Sequence, residues 1–464
     1  MLSRMRAGVR RGRGSSASEL SGDRQVAGLA HVLGRLTFGP FPERATTLAQ
    51  RGVQPGALVD ELLAAPPLPF RPTYEGDDGP LPFDIDAPGS PDPTDPVADH
   101  DRLLRLNSYR TWWVRRMLSD EAGLQDRMAW FWHTLFTTSF TKVDDVLLCW
   151  RQLRTLYEHA TGNFGDLAKA LTIDGAMLRY LDGNESIADA PNENYGREIM
   201  ELFMLGIGHY SQADVVAAAY AFSGWRVLNP TQAVEFDPAK GPTKPVTFLG
   251  KRAVYDYEAV VDRILEQDVC APFIVTKLWR AFVGGPVNTG AVRRWARTFR
   301  SSGYELRPVL EQMLHSPEFE GSIGARVRTP LEWYCAGVRA SGDALTRDPN
   351  VDLRLLAQSP YLPPSVAGWP GDATWLSSTQ MDARLRLIGT LGCPAAASLE
   401  GATESAALVD AVLRQCSIYE PSAQTRRSLT DLAASLADDP STAPRTRAGM
   451  VLSAALLTPE FART

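Results

Sequence analysis

The stretch NENYGREIMELFMLG, Asn192–Gly206, opens with two asparagines, three glutamates and an arginine in under three turns, then turns almost wholly apolar. Asn192 suits a helix N-cap, and Glu193 suits the positive end of the helix dipole. At helical spacing Glu193, Arg197 and Glu201 share one face, as do Asn194, Glu198 and Glu201. Ile199, Leu202, Phe203 and Leu205 make the remainder apolar nearly all round. That pattern predicts a central helix whose carboxylates are paired or face a cavity. The competing reading is an i, i+4 ladder of charges on a solvated face.

Helical periodicity extends in both directions from this segment. Short helices are expected at Asp23–Leu36, Glu43–Arg51 and Ala57–Leu63, and longer ones at about His100–Leu118, Leu124–Thr137 and Val143–Thr161. Ser211 and Asp214 form a capping-box pattern that starts a helix running to Ser223. The segment 225–250 is the one β-like stretch, its alternating Val and Phe residues broken by Asn-Pro, Asp-Pro and Gly-Pro into a short hairpin or flap. Further helices fill the rest, interrupted by the Pro- and Gly-rich loop SPYLPPSVAGWPGDATW at Ser359–Trp375. The segment 65–97 holds too much Pro, Gly and Asp for a regular element and reads as a surface loop or lid. The expected fold is mainly α, a large irregular helical bundle with one short β-hairpin or flap. Residues 1–22 read as a disordered basic leader and 23–464 as a single helical domain.

Across 464 residues, 44% are hydrophobic, 22% are charged and the formal net charge is −6. This acidity argues against a nucleic-acid binder, which would carry a basic face. The five cysteines stand far apart with no C-x-x-C pair, which disfavours both a disulfide framework and a zinc site. No apolar run reaches membrane-spanning length. An Arg-Arg pair near the N-terminus lacks the apolar stretch that an export signal needs, so the expected location is cytoplasmic. Neither a phosphate-binding G-x-x-x-x-G-K-[ST] loop nor a G-x-S-x-G elbow occurs.

Several motifs resemble the bacterial family catalogued as domain of unknown function 1800. They are ENYGREIMELFMLGIGHYSQADV from Glu193, FWHTLFTTS at Phe131–Ser139, HATGNFGDLAKALTIDGAMLRYLD at His159–Asp182, SGWRV at Ser223–Val227, KLWRAFV at Lys277–Val283 and PPSVAGWPGDATWLSS at Pro363–Ser378. The resemblance runs in order from about residue 25 to the C-terminus. It implies no assigned activity. It does imply a neighbour: relatives are often encoded beside a protein of the 1501 class, similar to alkaline phosphatases or sulfatases. Many relatives show a pattern similar to F-W-H-N-H-F, where this chain has His133 but Leu135. The His-x-His pair that would bind a divalent metal is therefore incomplete, and neither a metal nor a cofactor is expected.

Two functional readings follow. In the first, a buried Glu/Arg/His pocket catalyses a hydrolase- or lyase-type reaction on a polar, sugar-like substrate. Glu198 or Glu201 would act as general acid or base, Arg197 would orient the substrate, and His133 or His209 would shuttle the proton. Asn192, Glu193 and Asn194 would contact substrate, with Trp369 and Trp375 as stacking surfaces on the stiff loop. In the second, the chain is a non-catalytic helical scaffold that binds a partner protein encoded nearby. Of the remaining histidines, His31, His100 and His315 read as structural, while His159, like His133 and His209, could converge on Glu198 and Glu201.

Overall fold

The computed structural model describes residues 17–66, 96–229, 231–345 and 347–464. Most of the expected leader and nearly all of the loop at 65–97 lie outside the described residues. The architecture is mainly α. Among the described residues the first eleven α-helices are α1 (Ala17–Leu36), α2 (Pro42–Gln50), α3 (Pro55–Ala64), α4 (Pro96–Leu118), α5 (Leu124–Leu135), α6 (Phe140–Val143), α7 (Val146–Glu158), α8 (Phe164–Thr172), α9 (Gly175–Tyr180), α10 (Glu193–Glu198) and α11 (Gln212–Ala221). Two antiparallel hairpins follow, β1 (Trp225–Leu228) with β2 (Ala233–Phe236) and β3 (Val246–Phe248) with β4 (Lys251–Ala253). The expected single flap is thus a pair of two-stranded ribbons, Trp225 facing Phe236 in the first and Val246 facing Ala253 in the second. The rest of the described chain is helical apart from its connecting loops. None of the described helices is long and apolar enough to cross a membrane.

The helix at the centre is α5. Its residues Asp126–His133 are buried without interruption. The sequence MAWFWH presents apolar or aromatic groups on every face, and a helix of that kind is stable only when surrounded. Trp130, Trp132 and Phe131 each meet further rings from α4, α8 and the later helices. Its one buried acid, Asp126, accepts bonds from Arg116 Nε at 2.8 Å, the Tyr157 hydroxyl at 2.8 Å and the Gly123 amide at 3.0 Å. With its partners so close, the carboxylate does not pay the full cost of burial.

The long helix expected at Val143–Thr161 is present as α7 but shorter at both ends, running from Val146 to Glu158. Asp144 adopts a left-handed φ of 55°, which ends α6, and Asp145 then caps α7 by accepting from the Leu148 amide at 2.9 Å. The acidic helix starts as its sequence predicts, Asn192 Oδ1 accepting from the Asn194 amide at 2.9 Å. It does not stay α-helical. From Ile199 to Met204 it widens into a π segment, closed by the Leu205 and Gly206 amides, both of which donate to the Met200 carbonyl. Gly206, at φ 87°, terminates it. π segments are uncommon and recur at functional sites.

Candidate functional site

The acidic helix buries one face and half-exposes the other. Tyr195, Gly196, Ile199, Met200, Phe203 and Met204 are buried. Gly196 is where α11 crosses: a Cβ there would lie 2.9 Å from both the Ala219 amide nitrogen and the Val215 carbonyl oxygen. The charges lie on the other face. Arg197 meets Glu193 at 3.1 Å, with side chains 37% and 41% exposed, so this pair is half-solvated rather than internal. Gln212 of α11 closes a triangle, accepting from Arg197 at 3.0 Å and donating to Glu193 at 2.7 Å. Asn194 donates to Asp182 at 3.3 Å, and Lys142 reaches the same carboxylate at 2.7 Å.

Glu198 and Glu201 form a second group on this helix. The Tyr210 hydroxyl donates to Glu201 Oε2. Burial and that bond push the Tyr210 phenol up to about 12. Glu198 is partly buried; desolvation first, and the neighbouring Glu201 charge second, raise its carboxyl above the ordinary range, against the opposing pull of Arg197. Its charge is felt in turn by Tyr180, which is raised mainly by burial. Two carboxylates thus occupy unlike environments, one steadied by a phenol and one lifted toward protonation. His209 stands exposed in the turn beside Tyr210.

His133 belongs to a different group. It is fully buried among Trp113, Trp130, Tyr361 and Trp369, with ring centroids 5.0, 5.5, 4.4 and 5.6 Å away. Burial pulls its pKa down to about 3, so the ring is neutral. The Tyr361 amide donates to Nε2 at 3.2 Å, which places the ring proton on Nδ1. That Nδ1, the Trp369 Nε1 and the Thr137 hydroxyl meet no partner among the described residues. Buried donors of this kind take up water or a ligand oxygen.

The structure therefore brings His133 and Trp369 together, and separately Glu193 with Arg197 and Glu198 with Glu201. The two sets connect through the end of α5, where Phe136 packs on Phe203 of the π segment at 5.0 Å. Trp375 parts from Trp369. It is 3% exposed, and its carbonyl accepts from Arg384 of the following helix at 3.1 Å.

A buried ionic network exists, but elsewhere. Glu332, in the helix Pro330–Ser341, receives two bonds from Arg326 at 2.7 and 2.6 Å, an ion pair from Arg127 of α5 and the Thr329 amide at 3.0 Å. Burial alone would raise this carboxyl; the arginines hold it well below the usual carboxylate range. The local signal was RVRTPLEW, whose Thr-x-x-Glu pattern reads as a capping box and conceals the distant arginine partner. Among the described residues no three His, Cys, Asp or Glu side chains are grouped so as to hold a metal ion.

This is a mainly α protein with a half-exposed carboxylate face beside a buried aromatic cluster. The chain belongs to the family described as Protein of unknown function (DUF1800), whose model matches residues 31–463. No curated protein and no solved structure matches it.

Proposed function

We propose that the chain is an enzyme of hydrolase or lyase type, acting on a polar, sugar-like substrate at the face carrying Glu198 and Glu201. The supporting observation is the contrast between those two carboxylates. Glu201 is held by the Tyr210 hydroxyl, while Glu198 is partly desolvated, raised beside that charge, and bonded to no group among the described residues. A carboxyl shifted toward protonation suits a general acid, and the second carboxylate beside it suits a base or charge stabiliser. Arg197, oriented by Glu193 and Gln212, lies on the same helix to contact the substrate. His133 takes no part in proton transfer at this face, because it lies in the separate aromatic cluster with its Nε2 occupied and its ring neutral. Proton transfer is left to the carboxylates and Tyr210.

A scaffold reading draws on one observation of its own. Ile207, in the turn after the π segment, is 79% exposed. A scaffold would dock through such an exposed turn, and the phosphatase- or sulfatase-like neighbour of the 1501 class is the partner to try.

The test is a screen of sugar esters, glycosides, phosphate esters and uronate-type lyase substrates, repeated with Glu198→Gln and Glu201→Gln. Turnover that falls by about a hundredfold or more in both variants, with the fold retained, supports the enzyme. Turnover that is unchanged in both variants removes the site. The absence of any turnover, together with an Ile207→Asp-sensitive complex with the neighbour protein, replaces the enzyme by the scaffold.

A further inference from the structure

Two of the sequence motifs meet where α5 ends against the Pro- and Gly-rich loop. FWHTLFTTS supplies His133 and Thr137, PPSVAGWPGDATWLSS supplies Trp369, and the acid–base chemistry assigned to Glu198 and Glu201 uses none of the three. The loop is held to the helix end by its backbone. The Tyr361 amide donates to His133 Nε2 at 3.2 Å, and the Tyr361 carbonyl accepts from the Phe140 amide at 2.9 Å. Further along, Gly368 comes so close that a Cβ would lie 2.7 Å from the Thr134 carbonyl oxygen and 3.9 Å from Thr137 Cγ2. Trp369 follows, its ring centroid 5.6 Å from that of His133.

Inside this well-fixed contact, His133 Nδ1, Thr137 Oγ1 and Trp369 Nε1 are buried and bond to no group among the described residues. Polar atoms removed from water in this way are almost always satisfied. The loss from three unpaired groups exceeds the entropy of immobilising one water among them. The donor inventory defines what fits. With Nε2 accepting, Nδ1 carries the ring proton; the indole can only donate; the hydroxyl can donate or accept. Two fixed donors and a hydroxyl call for an oxygen. An anion is disfavoured, because burial alone lowers His133 and no charged group reaches its ring to offset an enclosed negative charge. The group is also small: Trp113, Trp130, Tyr361 and Trp369 pack around His133 and leave it no exposure.

We propose that one internal water bridges His133 Nδ1, Trp369 Nε1 and Thr137 Oγ1, and that it fastens the stiff loop to α5. It accepts from the two ring N–H groups and donates to the threonine. Three partners are the usual complement of a buried water. The site is independent of the Glu198–Glu201 reading, and either can fail without the other.

Two measurements on the full chain test it. A crystal structure should show a single-oxygen peak at about 3 Å from all three atoms. Nuclear magnetic resonance of tryptophan-labelled protein reads the hydrogen exchange of the Trp369 indole, identified by the signal that Trp369→Phe removes. Thr137→Val keeps the side-chain shape but deletes the hydroxyl, and should speed that exchange by about tenfold or more. Thr137→Ser restores the hydroxyl and should restore the protection, which a loss of packing alone would not do. Thermal melts report whether each variant keeps the fold. An empty site, density larger than one oxygen, or equal indole exchange in wild type and Thr137→Val overturns the proposal.

Discussion

Arg326 forks onto Glu332 with two bonds of 2.7 and 2.6 Å, in a region where Arg127 also meets that carboxylate and Arg35 lies close by. One acid therefore serves two buried arginines at the meeting point of α1, α5 and the helix Pro330–Ser341. Replacing Glu332 with Gln keeps the shape and the acceptor for the Thr329 amide but strands at least two buried cations. The expected cost is about 3–5 kcal/mol, read from the chemical-denaturation midpoint at constant slope. A loss below about 1 kcal/mol would show that the arginines find carbonyl partners as good as the carboxylate.

The pH dependence of stability has a defined sign. His31 and His133 titrate near 6.5 when unfolded and near 3 when folded. Between those values the unfolded chain binds both protons and the native chain neither, so stability rises with pH. Asp174 acts oppositely. Burial lifts it from 3.8 to about 7, so the native state holds a proton there that the unfolded state lacks. Two histidines against one aspartate leave a net gain in stability between about pH 4.5 and 6, of at most roughly 1.4 kcal/mol per pH unit. His133→Gln, which keeps an acceptor for Tyr361, should flatten that rise by up to the same amount. Parallel stability–pH curves for wild type and variant would mean that His133 is protonated in the fold.

Helix starts are legible in the sequence where a side chain caps its own helix. Asn192 and the Ser211–Asp214 pair do what their spacing announces, because the partners lie within three residues. The central helix is harder to read. In α5, Asp126, Arg127 and His133 dilute the apolar pattern, and the groups that make their burial tolerable (Arg116, Tyr157, Glu332 and Tyr361) come from other elements. The acidic helix misleads for the opposite reason. Its apolar residues imply burial all round, but the π segment and the Gly196 crossing bury one side and leave the charges half-wet. Of the candidate site residues, the approach of His133 to Trp369 depends on how the loop after Tyr361 folds back, which no local pattern encodes.

The exposure of the Arg197–Glu193 pair sets its energetic weight. A buried pair would lose several kcal/mol on removal of the cation, but these side chains are 37% and 41% exposed, and Gln212 can reorient to hydrogen-bond Glu193 alone. Arg197→Met should therefore cost less than about 1 kcal/mol. A loss of about 3 kcal/mol or more in equilibrium unfolding would return the pair to the interior.

The stiff loop supplies the last prediction. Gly368 has φ 79°, and a Cβ placed on it would lie 2.7 Å from the Thr134 carbonyl oxygen and 3.9 Å from Thr137 Cγ2. Backbone conformation and close approach to α5 thus both demand glycine at this one position. The next residue is Trp369, which packs on Trp130 and His133 at 5.7 and 5.6 Å. Gly368→Ala must either strain the turn or lift the loop from α5, and a cost of about 2–4 kcal/mol is expected. Lifting the loop would also wet the Trp369 indole, so tryptophan emission should shift to the red and near-ultraviolet dichroism should weaken. Gly371 in the same loop offers the control: its φ is not left-handed and nothing stands within 4 Å of a new Cβ, so Gly371→Ala should be close to neutral. If the two alanine variants unfold within about 0.5 kcal/mol of each other, the loop is not pinned to α5 at Gly368, and the enclosure of His133 by Trp369 loses its structural basis.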